Sequence, residues 1–201
     1  MQDKSKIIGQ QKAELEILLF ERPEDWAVWL DKNHAMSAGL WIRFAKKAAQ
    51  LHSMSYAQAL ELALCYGWID SQKNTHDSES WIQKFTPRSA KSIWSKINRE
   101  SATELIQSGK MQPAGLKEVE RAKEDGRWDS AYDSVSDAKV PSDLQVELDS
   151  NQAASDFFST LNSKNRYAIL FRIQTAKKAE TRAKRIHQFI SMLEKQEKIY
   201  P

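Results

Sequence analysis

Two boundaries in the first half of the chain constrain its fold most strongly. Ser55 and Gln58 form a capping box, in which the serine oxygen can accept the third helical N–H while the glutamine reaches back to the cap. Gly67 supplies the left-handed residue that ends many helices. The stretch between Ser55 and Gly67 is therefore predicted to be a helix with a defined start and stop.

Three short segments on either side of this helix are predicted to be strands. Residues 39–44 alternate apolar and polar positions, which is the period-2 pattern of a strand. Trp68–Gln72 and Trp81–Phe85 are aromatic segments separated by the polar stretch 73–80, an arrangement typical of two antiparallel strands joined by an exposed loop. Together the three segments predict a small antiparallel sheet.

The rest of the chain is predicted to be mostly helical. Pro23 opens a helix that ends near Asn33, and Ser95 is the predicted cap of another helix that ends at Gly109. Beyond Pro141, the predicted helix caps are Asn151 and either Asn162 or Ser163. One apolar stripe marks the last helix and consists of Ala179, Ala183, Ile186, Phe189, Ile190 and Leu193. The predicted fold class is α+β and helix-rich.

This pattern predicts three parts. Residues 1–109 form an α+β domain in which packed helices cover the small antiparallel sheet, 110–140 form a connector, and 141–201 form a helical C-terminal region. The length of 201 residues is enough to bury a sizeable core without disulfides.

Cysteine content and the N-terminal sequence predict a location inside the cell. The single Cys65 lies in an apolar run and is predicted to be a packed thiol rather than a nucleophile, which fits a reducing compartment. The first residues lack the uninterrupted apolar segment of a signal peptide or membrane span. We therefore expect a cytoplasmic protein that does not insert into membranes.

The net charge of +3 is too small to imply a nucleic-acid partner, but the charges are unevenly distributed. Residues 118–156 carry 11 acidic side chains against 4 basic ones, whereas 164–185 carry 8 basic against 1 acidic. We expect these two segments to pack together and largely neutralise each other.

No motif for a known catalytic or metal centre is present. The chain has no Walker-type loop, dinucleotide fingerprint, nucleophile elbow, or Cys and His pair at metal-ligand spacing, and its four histidines are scattered. We therefore expect no cofactor and no metal. Asp70, flanked by Trp68 and Ile69, is the weak candidate for a catalytic acid or base, because burial could raise the pKa of its carboxyl.

The segment from Gly67 to Arg99 has the densest mixture of aromatic, cationic and polar side chains. Tryptophan faces offer flat apolar platforms, and Arg or Lys nearby could hold a carboxylate, a phosphate or an acidic peptide. The alternative is that the tryptophans are core and the cations only line a solvated rim. The predicted ligand-binding residues are Trp68, Asp70, Gln72, Trp81, Arg88, Trp94, Lys96 and Arg99.

Several motifs follow one another along the chain in a recognisable order. They are Leu64–Asp70, Phe85–Arg88, Trp94–Arg99, Met111–Gly115, Asn165–Leu170 and Thr175–Lys178, followed by Thr181 and Arg182. In this order they resemble the YdeI/OmpD-associated, or bacteriocin-protection, family, and the resemblance extends from about Pro23 to Pro201. It implies a bacterial protein linked to tolerance of bacteriocins or cationic antimicrobial peptides and to an outer-membrane porin, and it carries over no catalytic residue.

Three functions stay open at this point. The first is a non-enzymatic stress or protection protein that binds a small anionic ligand or a protein partner through the segment from Gly67 to Arg99. The second is an enzyme that uses Asp70 in a Trp-lined cleft. The third is a nucleic-acid-binding protein that uses the basic segments 84–99 and 164–185, although no helix-turn-helix or RNA-binding signature is present. The sequence leaves the ligand and the oligomeric state open.

Overall fold

The computed structural model describes residues 14–201, which divide into two compact units. The first unit comprises the described residues up to Ala90 together with residues 108–118. The second unit comprises residues 91–107 and 119–201.

A mixed four-stranded sheet forms the centre of the first unit. The elements of this unit are β1 (Ile17–Leu19), α1 (Pro23–Asn33), β2 (Leu40–Ala45), α2 (Tyr56–Cys65), β3 (Trp68–Thr75) and β4 (Ser80–Pro87). The strands lie in the order β1-β2-β4-β3; β1 runs parallel to β2, and the other neighbouring pairs are antiparallel. The three predicted strands are confirmed, whereas the parallel β1 was not predicted because its three residues are too few to show alternation.

The predicted boundaries of α2 are confirmed. The backbone N–H of Gln58 donates to Ser55 Oγ at 3.3 Å, and the backbone N–H of Ser55 donates to Gln58 Oε1 at 2.9 Å. Gly67 follows with a φ of 73°, a left-handed conformation that glycine adopts without a steric penalty. The chain therefore turns directly from α2 into β3.

Aromatic side chains fill the core of the first unit. The inward residues of β2 pack with Trp26, Trp68 and Phe85, all three of which are buried. The indole N–H of Trp26 donates to the carbonyl of Ala59 at 3.1 Å, so its polar atom is satisfied inside the core. Aromatic rings thus cover the sheet face that packs on α1 and α2.

The second unit is helical. Asn151 and Asn162 accept the N–H groups of Ala154 and Asn165, which confirms Asn151 as a cap and selects Asn162 over Ser163. Ser95 likewise accepts the N–H of Asn98. The helices are α3 (Lys96–Gln107), α4 (Pro113–Glu124), which begins in the first unit, α5 (Ser142–Asp149), α6 (Gln152–Thr160), α7 (Ser163–Gln174) and α8 (Ala179–Glu194).

A mostly aliphatic core holds α5 to α8 together. It includes Leu144, Ile169, Ile173 and Leu193, each of which is essentially inaccessible to solvent. Over residues 14–201 the chain thus has eight helices and four strands, so the helix-rich α+β class is confirmed. Within that range no helix is both long enough and apolar enough to span a membrane.

Candidate functional site

Trp68, the first of the predicted ligand-binding residues, lies in the core of the first unit. It is 1% exposed, and the rings of Trp26 and Trp29 meet it edge to face at centroid distances of 6.2 and 5.6 Å. Its indole N–H donates to the carbonyl of His34 at 3.2 Å. The Trp68 ring therefore stabilises the fold and presents no face to solvent.

Asp70, the weak catalytic candidate, lies half-buried on β3. Its Oδ2 accepts a hydrogen bond from the Tyr56 hydroxyl at 2.7 Å and another from Gln83 Nε2 at 3.1 Å. Tyr56 is thus a titratable group in direct contact with this carboxylate. A bulge in β3 follows, between Asp70 and Lys73.

The other candidates of the first unit occupy different surroundings. Trp81 stacks on Phe44 at 4.8 Å, and Lys73 Nζ lies 4.0 Å from its ring centroid, a cation–π contact. Gln72 is exposed on β3. Arg88 is buried, and its backbone N–H donates to the carbonyl of Gly67 at 2.9 Å.

Trp94, Lys96 and Arg99 belong to the second unit, where they gather around the segment 128–133. The buried Trp94 ring meets the Trp128 ring at 5.0 Å, and Arg99 Nη1 donates to the Trp128 carbonyl at 3.3 Å. Lys96 Nζ pairs with Asp133 Oδ1 at 2.5 Å. The predicted connector therefore carries residues that hold three of the predicted candidates in place.

A cavity of about 310 Å³ lies next to this segment, and we call it the basic cavity. It is lined by Ile93, residues 125–127, Ser130 and residues 174–177, all of them in the second unit. Segment 125–130 follows α4, and residues 174–177 include the end of α7. Two cations, Arg127 and Lys177, and one carboxylate, Asp125, line the cavity.

Arg127 is the most unusual side chain of the basic cavity because it is almost completely buried. It is 4% exposed; its Nε donates to both Asp125 oxygens at 2.7 and 2.8 Å, and its Nη1 donates to the Ser92 carbonyl at 2.7 Å. Its Nη2 is buried and has no hydrogen-bond partner within residues 14–201. Such an unsatisfied charged donor is costly, which singles out Arg127 as the side chain of the lining that would gain most from an anionic partner.

Asp125 is ionised at neutral pH. The hydrogen bond from the Arg127 side chain is the main reason that the pKa of its carboxyl lies below the ordinary value, and the charge of Lys177 adds to the effect. With Asp125 negative and Arg127 and Lys177 positive, the lining keeps one net positive charge.

Much of the basic segment 164–185 is engaged within the fold. Arg182 forms a two-pronged pair with Asp143, with Nε and Nη2 donating at 2.6 and 2.8 Å, and Arg166 Nη2 donates to the Ser159 carbonyl at 3.2 Å. Arg185 donates to the Arg172 carbonyl. The predicted neutralisation between the acidic and basic segments is confirmed at Arg182 and Asp143.

Cys65 is a packed thiol, as predicted. It is 4% exposed, and burial is the main reason that its pKa rises to about 11. The thiol is therefore neutral at physiological pH, and nucleophilic chemistry is not supported there. Among residues 14–201, no group of three or more His, Cys, Asp or Glu side chains is placed to hold a metal ion.

None of the residues that line the basic cavity is one of the eight predicted ligand-binding residues, although Lys177 lies in the basic segment 164–185 of the nucleic-acid alternative. Arg127 lies in a region predicted to be a connector, and Lys177 in a segment whose charges were expected to be neutralised. Their proximity depends on segments about 50 residues apart, so no local pattern could have indicated it.

Two family models match the chain. Residues 18–118, just over half of its length, match the model described as a domain of unknown function, DUF8412. Residues 137–196 match the family described as bacteriocin-protection, YdeI or OmpD-associated. The resemblance inferred from the motifs is thus confirmed for the C-terminal part, over a shorter stretch than predicted. No curated protein and no solved structure matches the chain.

Proposed function

The chain belongs to the DUF8412 family, and we propose that it is a non-enzymatic binding protein that helps a bacterium to tolerate bacteriocins. In this proposal a cytoplasmic protein binds a small anion in the basic cavity. The family match over residues 137–196 supports the link to bacteriocins, and it includes the cavity residues 174–177.

The observation that carries the proposal is the state of Arg127. Its guanidinium is buried beside the cavity, and among the described residues 14–201 Asp125 is the one carboxylate that pairs with it. A guanidinium that keeps an unsatisfied donor favours a planar anionic group such as a carboxylate, or a phosphate. An anionic ligand would also compensate the net positive charge that Lys177 leaves in the lining.

The size of the cavity limits the ligand. Small-molecule sites span roughly 300–1,000 Å³, and the basic cavity, at about 310 Å³, lies at the lower end. Inorganic phosphate or a short carboxylic acid fits this volume better than a nucleotide or a peptide. The protein would therefore sense or sequester a small metabolite and would not bind the bacteriocin itself.

A cytoplasmic protein cannot meet a porin in the outer membrane directly, so protection would have to be indirect. A small anion that binds only the folded state stabilises that state. If the anion binds one folded conformation more tightly than another, it also shifts the population toward that conformation and can change which partner the protein binds. The proposed role is thus regulatory.

Titration of the full chain with inorganic phosphate and with acetate tests the binding claim. Lys177→Gln removes a cation from the lining, and Lys178→Gln is the matched control because Lys178 is exposed and does not line the cavity. We expect Lys177→Gln to weaken binding about tenfold, or about 1.4 kcal/mol, and Lys178→Gln to leave it near wild type. Equal affinities for the two variants, or no binding of either anion by wild type, would contradict the proposal.

A survival assay tests the link to bacteriocins. A strain that lacks the gene is complemented with wild type, Lys177→Gln or Lys178→Gln, and is then challenged with a bacteriocin. We expect Lys177→Gln to restore less survival than the other two chains at equal protein levels. If all three chains restore survival equally, the anion site has no part in protection.

A further inference from the structure

A second cavity of the second unit lies along α7 and has a different chemistry. It measures about 550 Å³, and we call it the α7 groove. Its lining includes two rings and two cations of α7, an exposed valine and one ring that follows α8, namely Tyr167, Phe171, Lys164, Arg172, Val135 and Tyr200. The proposed anion site does not use any of these residues.

The floor of the α7 groove is aromatic and fixed in place. The centroids of the Tyr167 and Phe171 rings lie 5.8 Å apart, and the Tyr132 ring meets the Phe171 ring edge to face at a centroid distance of 4.9 Å. The Tyr167 hydroxyl donates to the Asp133 carbonyl at 2.9 Å. The rings are therefore held in one arrangement, tilted by 38° to each other, and form an angled aromatic floor on which a flat apolar body can pack against one ring and touch the other.

A buried asparagine fixes one wall of the groove. Asn165 is 1% exposed; its Nδ2 donates to the Tyr200 carbonyl at 3.2 Å, and its Oδ1 accepts the Tyr200 N–H at 2.9 Å. These two bonds tie the segment after α8 to α7. The wall exists before a ligand arrives, which lowers the ordering cost of binding.

The cations stand at separate places along the floor. Lys164 and Arg172 are eight residues apart on one helix, a rise of about 12 Å. Lys164 Nζ lies 4.5 Å from the Tyr200 ring centroid. Within residues 14–201, no acidic side chain forms an ion pair with either cation, so the groove combines an apolar floor with positive ends.

We propose that the α7 groove is a binding site for aromatic organic anions, molecules with a flat ring system that carries a carboxylate or sulfonate. The ring system stacks on one of the two rings, Tyr167 or Phe171, and contacts the edge of the other, while Arg172 or Lys164 holds the anionic group. This inference is independent of the proposed function, because it concerns another cavity and another size of ligand.

Fluorescence titration of the full chain with 1-anilinonaphthalene-8-sulfonate tests this site. The uncharged N-phenyl-1-naphthylamine has the same rings without the sulfonate and serves as the comparison probe. We expect Arg172→Gln to weaken sulfonate binding five- to tenfold and to leave binding of the uncharged probe unchanged. Phe171→Leu should weaken the binding of both probes.

Lys184→Gln, on the exposed side of α8, is the matched control for loss of one positive charge. The proposal is overturned if Arg172→Gln and Lys164→Gln both bind the sulfonate as Lys184→Gln does. It is also overturned if Lys177→Gln weakens binding of the sulfonate probe as much as Arg172→Gln does, because the probe would then occupy the basic cavity. Unsaturable binding at many sites would reject it as well.

Discussion

The two units differ in how their aromatic side chains contribute to the core. In the first unit Trp26, Trp68 and Phe85 are fully buried and form the core. The aliphatic core that holds α5 to α8 together contains no tryptophan or tyrosine, and the one fully buried tryptophan among the described residues of the second unit, Trp94, lies outside that cluster. Tyr167 and Phe171 are half-buried on the floor of the α7 groove. The difference indicates that the rings of the first unit mainly form its core, whereas Tyr167 and Phe171 of the second unit keep part of their surface exposed in a groove.

The largest test of this contrast is Trp68→Ala. Removal of a fully buried tryptophan should cost about 3–5 kcal/mol of stability, because the ring leaves a cavity in the core. Tyr167→Phe removes one hydrogen bond and should cost only about 1 kcal/mol. Denaturant unfolding followed by circular dichroism measures both, and similar losses would break the comparison.

Two glycines, Gly115 and Gly126, allow the backbone packing of the two units to be compared. A Cβ on Gly115, in the first unit, would lie 2.2 Å from the Cys65 carbonyl oxygen, so the backbone would have to move. We expect Gly115→Ala to cost about 2–3 kcal/mol by overpacking. The measurement is the free energy of unfolding.

Gly126, in the second unit, differs because nothing lies within 4 Å of its added Cβ and only its φ of 76° disfavours a side chain. Gly126→Ala should cost about 1–2 kcal/mol. Gly126→Asn should cost less than alanine, since asparagine tolerates this conformation better. If Gly126→Ala lowered the free energy of unfolding more than Gly115→Ala does, the packing assigned to the two positions would be contradicted.

The smallest expected effect concerns pH and a polar cluster of the first unit. Asp77 accepts from Ser80 and pairs with Arg43 at 2.7 Å, and chiefly the Ser80 bond lowers the pKa of its carboxyl to about 2. A lowered native pKa stabilises the fold above the unfolded pKa near 3.9, and this stabilisation is lost as the pH falls toward 2. Asp77→Asn should therefore show a shallower loss of stability between pH 4 and pH 2 than wild type. Identical pH profiles would show that the Asp77 contacts do not form in solution.

The fold was largely predictable because its boundaries are local. Pro23 is the first residue of α1, and Ser55 with Gln58, Asn151 and Asn162 cap their helices with side-chain hydrogen bonds, so neighbouring residues suffice to indicate these boundaries. The strand β1 was missed because its pairing with β2 depends on residues more than 20 positions away.

The site was much less predictable than the fold. Trp68 and Trp94 suit a binding platform and a core equally well by composition, and only burial separates the two cases. In the sequence Arg127 is one cation in a charged connector. Its hydrogen bond to the Ser92 carbonyl, 35 residues away, forms only in the tertiary structure that also buries its ion pair with Asp125. The density of aromatic and cationic residues indicated the segment from Gly67 to Arg99, of which Ile93 alone lines the basic cavity as the structure describes it.

Hydrogen exchange with and without saturating inorganic phosphate tests the central claim, that ligand binding belongs to the second unit, most directly. The account predicts slower exchange in peptides that contain residues 125–130 and 174–177, and unchanged exchange in peptides that contain residues 68–88 of the first unit. Protection confined to residues 68–88, with none at the basic cavity, would contradict it.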